Sequence, residues 1–366
     1  MASRVLIAGG GTGGHATPAL AIAEAIQRVS KNSEFLFVGT KRGVEFRVVP
    51  KAGFRLELIS VISLSRSLNA SLLRFPLVLM KGFVESVALM RRFRPDVTVC
   101  TGGYVSGPVG LASVAMGVPL VIHDSNVLPG VTLRLLSRVA SVVLLGFPEA
   151  ARKMGGRICE AVGNPTRIPK EDASQGQARD AFGLDRDAKS LLVVGGSQGA
   201  RSINKALADA LPRLMDDEVQ ILWQTGSLDY EKMARVAEPY GDRVRTLAFI
   251  DEMPAAYRAA DLAVTRAGAM TIAELNLFGI PAILVPLETA AENHQEVNAR
   301  TMENEGWARM ILQREIDGKT LSAAVSGLMD EPEALGRMGD RSAARGSGDA
   351  SDRIAAELMD RNLIRV

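Results

Sequence analysis

Only two cysteines, Cys100 and Cys159, occur in 366 residues, and no CxxC or metal-finger spacing is present. Two isolated thiols in apolar surroundings argue against a disulfide framework and for a reducing compartment. A surplus of charge is missing too. Lys and Arg total 43 against 41 Asp and Glu, a formal net charge of +2, too small for a protein that binds nucleic acid through bulk charge. No apolar run reaches the ~18 residues that a membrane-crossing helix needs. The opening MASRVLIAGGG runs from a strand pattern into glycines, without the apolar core of a signal peptide. Histidine is scarce enough, at three residues, for each to be weighed individually.

What is present is an ordinary globular balance, 47% hydrophobic and 23% charged, in a chain longer than one core usually serves, so two domains are expected. Short β-branched runs alternate with helical patterns. Arg4–Ala8, Glu34–Val38, Asp96–Cys100, Pro119–His123 and Ser141–Leu145 form one set. Ser190–Val194, Val219–Trp223, Asp261–Thr265 and Pro281–Val285 form another. Strands apolar on both faces and separated by helices predict parallel sheets covered on both sides. Each set opens alike, RVLIAGGGTGGHATPALAIAEAI and SLLVVGGSQGARSINKALADAL, a strand, a glycine-rich turn and an amphipathic helix. The fold class is therefore α/β, with two Rossmann-like halves. We place the domains at 1–164 and 165–348, with polar Arg167–Lys189 as linker and entry helix, and a C-terminal helix, about 349–366, packing back on the first domain.

Glycine loops carry the first chemical signal. In GGGTGGH, Gly9–His15, missing Cβ atoms let backbone approach phosphate oxygens, and the following helix offers its N–H groups and positive dipole end. Thr17-Pro18 reads as N-cap and N1 of that helix. Gly9, Gly11 and Gly14 satisfy GxGxxG, but the strand EFLFV leads to Gly39-Thr40-Lys41-Arg42, without the acid that a dinucleotide ribose wants. Lys41 and Arg42 suit an NADP phosphate, which keeps an NADP oxidoreductase as an alternative. A purely structural turn is another. The second loop, GGSQGA, adds the Ser197 hydroxyl, with Gln198 and Gly199 beside it. A third cluster, GGYVSGP, carries Tyr104 and follows the strand DVTVC. Loops after strand carboxyl ends are where open α/β sheets bind ligands.

Other residues converge on the same edges. In TRAGAMTIAEL, Thr265–Leu275, Glu274 is a carboxylate suited to the vicinal hydroxyls of a ribose; Thr271 and Glu274 also have capping-box spacing. Phe249-Ile250-Asp251, at a strand end, offers main-chain groups to a base. His15 ends the first loop and is the candidate general base for an acceptor hydroxyl. His123-Asp124-Ser125-Asn126 brings a second carboxylate and a carboxamide to a strand end, and His294 precedes Gln295. A lone histidine is more often structural. The DxD at Asp185–Asp187 lies in a charge-rich stretch and reads as solvated surface, so no metal site and no cofactor are assigned.

Taken in order, GGTGGH, GGYVSGP, GNPTR, GGSQGAR, FIDEM, RAGAMTIAEL and ENHQ…NA resemble the MurG family of bacterial cell-wall glycosyltransferases over nearly the whole chain. The resemblance implies a GT-B architecture. It also implies transfer of N-acetylglucosamine, with inversion, from UDP-GlcNAc to the C4 hydroxyl of the muramoyl sugar of lipid I, to give lipid II. It puts Thr12, Gly13 and Gly14 by the substrate phosphates and Asn126 on the sugar. Arg167 and Ser197 fall at the nucleotide diphosphate, and Ile250 on uracil. Ala269, Met270, Thr271, Ile272, Ala273 and Glu274 line the nucleotide, with Glu274 on the ribose. Gln295 reaches sugar hydroxyls, with His294 beside it. HDSN stands where HEQN is more common, so Asp124, the second catalytic candidate and the alternative base to His15, keeps the acid with a reach one methylene shorter. The implied partners are UDP-GlcNAc, lipid I, the anionic cytoplasmic face of the bacterial membrane, and cell-wall synthesis and division proteins. The implied location is cytoplasmic and peripheral on the plasma membrane.

A lipid-linked acceptor directs notice to Ser71–Pro95, SLLRFPLVLMKGFVESVALMRRFRP. Leu72, Leu73, Phe75, Leu77, Leu79, Met80 and Phe83 are flanked by Arg66, Arg74, Lys81, Arg91, Arg92 and Arg94, a pattern suited to a headgroup boundary. A buried core helix with a charged face is the alternative. Pro76 predicts a helical break.

Overall fold

The computed structural model describes residues 2–61, 71–155, 158–168, 173–196, 199–346 and 348–365, with the side chains of 71–75 left aside. Arg66, Ser197 and Gln198, singled out in the sequence, lie outside the described residues. The chain forms two compact units, Met1–Arg167 with Asp349–Val366, and Ile168–Gly348.

In the first unit, strands β1 (Arg4–Gly9), β2 (Glu34–Gly39), β3 (Arg55–Leu58), β4 (Val97–Gly102), β5 (Leu120–Asp124), β6 (Val142–Leu145) and β7 (Cys159–Ala161) make one sheet. Their order is β3-β2-β1-β4-β5-β6-β7 and every pairing is parallel. Helices α1 (Gly13–Val29), α2 (Glu45–Lys51), α3 (Ser71–Phe93), α4 (Ser106–Ala115) and α5 (Val131–Leu136) connect them. The strands are apolar on both faces because both faces are covered. Val5 and Ile7 enter one core with Ala19, Ile22 and Ile26 of α1. Leu6 and Ala8 enter the other, with Met90 of α3 and Val109 of α4.

The second unit has α6 (Gln175–Ala181), β8 (Ser190–Val194), α7 (Arg201–Asp216), β9 (Gln220–Gln224), α8 (Tyr230–Ala237), β10 (Val244–Leu247) and α9 (Met253–Ala259). These are followed by β11 (Leu262–Thr265), α10 (Ala269–Phe278), β12 (Ala282–Leu284), α11 (His294–Asn304), β13 (Ala308–Met310), α12 (Gly318–Met329) and α13 (Pro332–Arg345). Its sheet runs β10-β9-β8-β11-β12-β13. In each unit the first strand is flanked by the second and fourth of that unit. This reversal of strand order opens a crevice at the carboxyl edge, where doubly wound sheets bind ligands.

Helix α14 (Ala350–Asp360) rejoins the first unit. Ile354, Ala355 and Leu358 are buried in the same core as α1, and Arg28 meets Asp352 at 2.6 Å on the rim. Two local expectations need correction. Helix α1 begins at Gly13, not after Thr17, and Pro18 lies inside it. Thr12, at φ −125 and ψ 164, caps a first turn made of glycines, so the glycine loop is itself the helix start. Helix α3 runs unbroken through Pro76. A proline within the first two turns forfeits only one main-chain bond there.

Burial separates residues of similar type. Leu358 is fully buried whereas Leu77 is 73% exposed. Leu358→Ala should cost about 2–5 kcal/mol, and Leu77→Ala should stay within about 0.5 kcal/mol of wild type, measured by urea denaturation of the two variants side by side.

Candidate active site

The first loop is shaped by close approach. The β1–β4 pairing shifts register at Gly9, which sits opposite Gly102. A Cβ on Gly9 would lie 1.9 Å from Thr101 Oγ1, and one on Gly103 2.1 Å from the Gly10 carbonyl oxygen. Gly102, at φ +112, is needed twice over, since a Cβ there would fall 2.6 Å from Cδ2 of His15. Thr101 Oγ1 donates to the His15 carbonyl at 2.8 Å, and Ser106 Oγ bridges Gly102 N and the Ala8 carbonyl. The GGYVSGP loop is thus a wall against which GGGTGGH is moulded. Thr12, Gly13 and Gly14 are exposed at the N-terminus of α1, where the first N–H groups of a helix lack main-chain acceptors.

His15 is half-buried and its Nδ1 lies 3.2 Å from the Gly10 carbonyl, with Thr12 Oγ1 at 3.4 Å. A carbonyl only accepts, so Nδ1 carries the proton and Nε2 is the basic nitrogen. Tyr104, 43% exposed, stands on the neighbouring loop. The sequence reading overlooked Glu45, first residue of α2 and almost wholly buried. Its carboxylate accepts from Gly11 N at 2.8 Å, Thr40 N at 2.9 Å and Thr40 Oγ1 at 3.0 Å. Three glycines make room for it, since a Cβ at Gly10, Gly39 or Gly43 would meet its side chain within 2.5 Å. The recurrence of those glycines around one acid, GG…GT…GVE, is the signal that could have found it.

At the end of β5, Asp124 is 3% exposed. Oδ1 accepts from Asn126 N at 2.9 Å and Oδ2 from Gly130 N at 3.0 Å. Burial pushes its pKa up to about 6, against those hydrogen bonds and the Arg134 charge, which pull it down. With both oxygens turned to backbone amides, Asp124 forms the loop that carries Asn126. His123 is fully buried, Nε2 donates to the Gly163 carbonyl at 3.1 Å, and burial lowers its pKa to about 4, so it is a neutral structural imidazole. Arg167 makes a two-pronged pair with Glu24 of α1, 2.6 and 3.1 Å, and belongs to the first unit.

In the second unit, the loop after β8 turns tightly. Gly199 N donates to the Gly196 carbonyl at 2.9 Å, and Gly199, at φ +75, sits where a Cβ would be 2.3 Å from the Thr225 carbonyl oxygen. Gln224, buried at the end of β9, donates to the Gly196 carbonyl at 3.1 Å and accepts from Ile250 N at 3.0 Å. One carboxamide, missed in the sequence, therefore ties this loop to the strand-end residue expected to face a base.

Helix α10 starts at Ala269 after the N-cap Gly268. Thr271 and Glu274 are both inside the helix, so their spacing is not a capping box. Ala269, Met270 and Thr271 form its first turn; Ile272 is buried, and Ala273 and Glu274 are partly exposed. Glu274 accepts from the buried Tyr257 hydroxyl at 2.8 Å. Burial raises the Glu274 pKa to about 7, with the tyrosine bond opposing. Gln295 Oε1 accepts from Leu287 N at 2.9 Å and His294 Nδ1 donates to the Ala291 carbonyl at 2.7 Å. Glu292 and Asn293, at φ +51 and +57, hold successive left-handed conformations just before α11. Such strain costs on the order of 1 kcal/mol or more per residue and gathers at ligand sites. The DxD acid Asp185 folds onto the amides of Asp187 and Ala188, and among the described residues no cluster of three or more metal-ligating side chains occurs.

Similarity to known proteins agrees with this arrangement. The glycosyltransferase family 28 N-terminal domain matches residues 5–145 and the family 28 C-terminal domain residues 190–354. A protein of Desulfitobacterium hafniense (strain Y51), named UDP-N-acetylglucosamine--N-acetylmuramyl-(pentapeptide) pyrophosphoryl-undecaprenol N-acetylglucosamine transferase, is 39% identical over 98% of this chain and 99% of its own. A protein of the same name from Anaeromyxobacter dehalogenans (strain 2CP-C) is 42% identical over 98% and 92%. The crystal structure of Acinetobacter baumannii MurG superposes with a TM-score of 0.79 at 27% identity, over 98% of this chain and 99% of that one. Both units, their glycine loops and these full-length likenesses place the chain in the MurG family of glycosyltransferases, with the GT-B fold.

Proposed function

We propose that this chain is an N-acetylglucosaminyltransferase that moves GlcNAc from UDP-GlcNAc to the undecaprenyl-diphospho-muramoyl-pentapeptide acceptor, a step of peptidoglycan synthesis. The observation that carries the reading is near-full-length identity of about 40% to relatives bearing that name. Transfer with inversion requires a base for the acceptor hydroxyl and stabilisation of charge growing on the departing diphosphate. His15 supplies the base, its Nε2 taking the proton from the C4 hydroxyl. Gly13, Gly14 and Thr12 at the start of α1, with Tyr104, receive the acceptor side, and Asn126 contacts the sugar. Gly199, with Ser197 and Gln198 before it in the chain, and the first-turn amides of α10, Ala269 to Thr271, receive the diphosphate. Ile250 meets uracil through its main chain, Ile272 and Ala273 flank the nucleotide, Glu274 holds the ribose, and His294 and Gln295 reach the sugar hydroxyls. Asp124 serves by shaping the Asn126 loop.

Docking at an anionic membrane is supported by a run of exposed apolar side chains. Leu77, Met80 and Val84 of α3, Leu111 and Val114 of α4, and Val131 and Leu135 of α5 are each at least 40% exposed. Helices α3 and α4, and α4 and α5, are packed neighbours. Leu79 and Phe83 are not part of that exposed set; Phe83 packs against the core. Lys81, Arg91 and Arg92 stand exposed on the same helix, and each cation near anionic lipid contributes about 1 kcal/mol. None of the described helices is long and apolar enough to cross a membrane.

Incubation with UDP-GlcNAc and a lipid I analogue should yield the disaccharide product; no product would overturn the assignment. His15→Ala should lower kcat by about 10²–10⁴ while the KM for UDP-GlcNAc changes little.

Glu274 gives a pH dependence. Its pKa near 7 means the neutral form predominates below that pH, whereas ribose hydroxyls donate to the ionised form. UDP-GlcNAc affinity should therefore fall as pH drops through about 7, with proton release on binding. Calorimetry at pH 6 and 8 tests this, UDP-GlcNAc having no phosphate ionisation in that window. Glu274→Gln should weaken binding by about 1.5–3 kcal/mol and flatten the profile.

Leu77→Glu, Met80→Glu and Val84→Glu together should abolish sedimentation with anionic vesicles and leave UDP-GlcNAc binding unchanged. Retained sedimentation would move the docking surface elsewhere.

A further inference from the structure

Glu45 is a buried carboxylate on a different element from every residue given a role in transfer, and one of its three hydrogen bonds leads towards His15. Gly11 N–H and Gly10 C=O are the two ends of a single peptide group. The N–H donates to Glu45 Oε2 at 2.8 Å, and the C=O accepts from His15 Nδ1 at 3.2 Å. Carboxylate, peptide and imidazole therefore form one continuous chain of donors and acceptors. Thr40 fixes the other carboxylate oxygen through its amide and hydroxyl, and Gly10, Gly39 and Gly43 leave the space that the carboxylate fills.

We propose that Glu45 is a positioning residue for the transfer reaction, orienting and polarising His15 through the Gly10–Gly11 peptide. An amide whose N–H is bonded to an anion has a more negative carbonyl oxygen, because hydrogen-bonded groups in series polarise one another. That carbonyl holds the Nδ1 proton more firmly, which keeps the lone pair on Nε2 and makes the ring more basic. A base oriented by a third group is a general arrangement for activating a hydroxyl; here a peptide group stands between the carboxylate and the ring. The same carboxylate also occupies the Gly11 amide. That leaves Gly13 and Gly14, the first two residues of α1, to receive phosphate.

The proposal rests on His15 acting as the base, and a double-mutant cycle separates the two. Glu45→Gln puts an NH₂ against either Gly11 N–H or the Thr40 donors, so at least one bond is replaced by opposed donors. Its kcat should fall about 10–100-fold, the span for outer partners that orient a functional histidine, with the KM for UDP-GlcNAc within about twofold. The acid limb of the kcat/KM profile should move to lower pH, because loss of the anion makes the imidazole less basic. The double variant Glu45→Gln/His15→Ala should be no slower than His15→Ala. A multiplicative loss would mean that Glu45 acts independently of His15 and would overturn the proposal. So would a Glu45→Gln rate within twofold of wild type while His15→Ala is impaired. Full activity in His15→Ala would instead remove the base assignment. Should Glu45→Gln fail to fold, nitrogen NMR of the wild-type protein decides: a proton on Nδ1 of His15 with a slowly exchanging Gly11 amide supports the relay, and a proton on Nε2 refutes it.

Discussion

A parallel strand buried on both faces has nowhere to put polar groups except at its ends. Both sheets obey this constraint, with Val5 to Ala8 and Leu191 to Val193 fully buried, and the rest of each unit follows. Helices must cover both faces, so every strand leads into a loop and, in most cases, a helix. Loops that carry function therefore gather at the carboxyl edge, beside helix N-termini whose orphan N–H groups attract anions. The reversal of strand order beside β1 and β8 opens that edge, and the glycine motifs sit there.

Glycine and buried acid then work as complementary devices. Glycines let backbone segments come within a distance no side chain tolerates, as between Gly103 and Gly10 or Gly199 and Thr225. Acids hold such segments by accepting amides that would otherwise be unsatisfied, and Glu45, Asp124 and the partly exposed Glu274 can be sorted by their donors. Glu45 and Asp124 are each consumed by two backbone amides. Glu274 receives one tyrosine hydroxyl, which leaves its ionised form capacity for further donors, and burial raises its pKa to about 7. The number of backbone donors thus separates Glu45 and Asp124, which each hold a loop, from Glu274, which accepts from a side chain.

The surface of the first unit follows a related logic. Gly82 and Ser86 of α3 are buried and Phe83 packs on the core, while Leu77, Met80 and Val84, spaced at three and four residues, point outward. A helix apolar on its outer face as well as its inner one is unusual in water, which is the observation behind the proposed membrane docking.

From residues alone, much was legible. Two-sided apolar runs dictated parallel sheets, the repeated strand–glycine–helix opening dictated two similar units, and the ordered motifs indicated the family. Local signals were less reliable. Thr17-Pro18 resembled a helix start because the pair satisfies the local rule, yet exposed glycines began the helix a turn earlier, and Pro76 broke nothing. What only the tertiary structure decided was partnership. Asp124 and Glu274 both looked like functional acids, and Glu45 was not singled out at all. Their roles came from which amide or hydroxyl lay within 3 Å, and those donors stand up to 34 residues away in sequence. Periodicity and motif spacing report the neighbours along a chain, whereas desolvation and hydrogen bonding depend on neighbours in space, which the packing of strand on strand brings together.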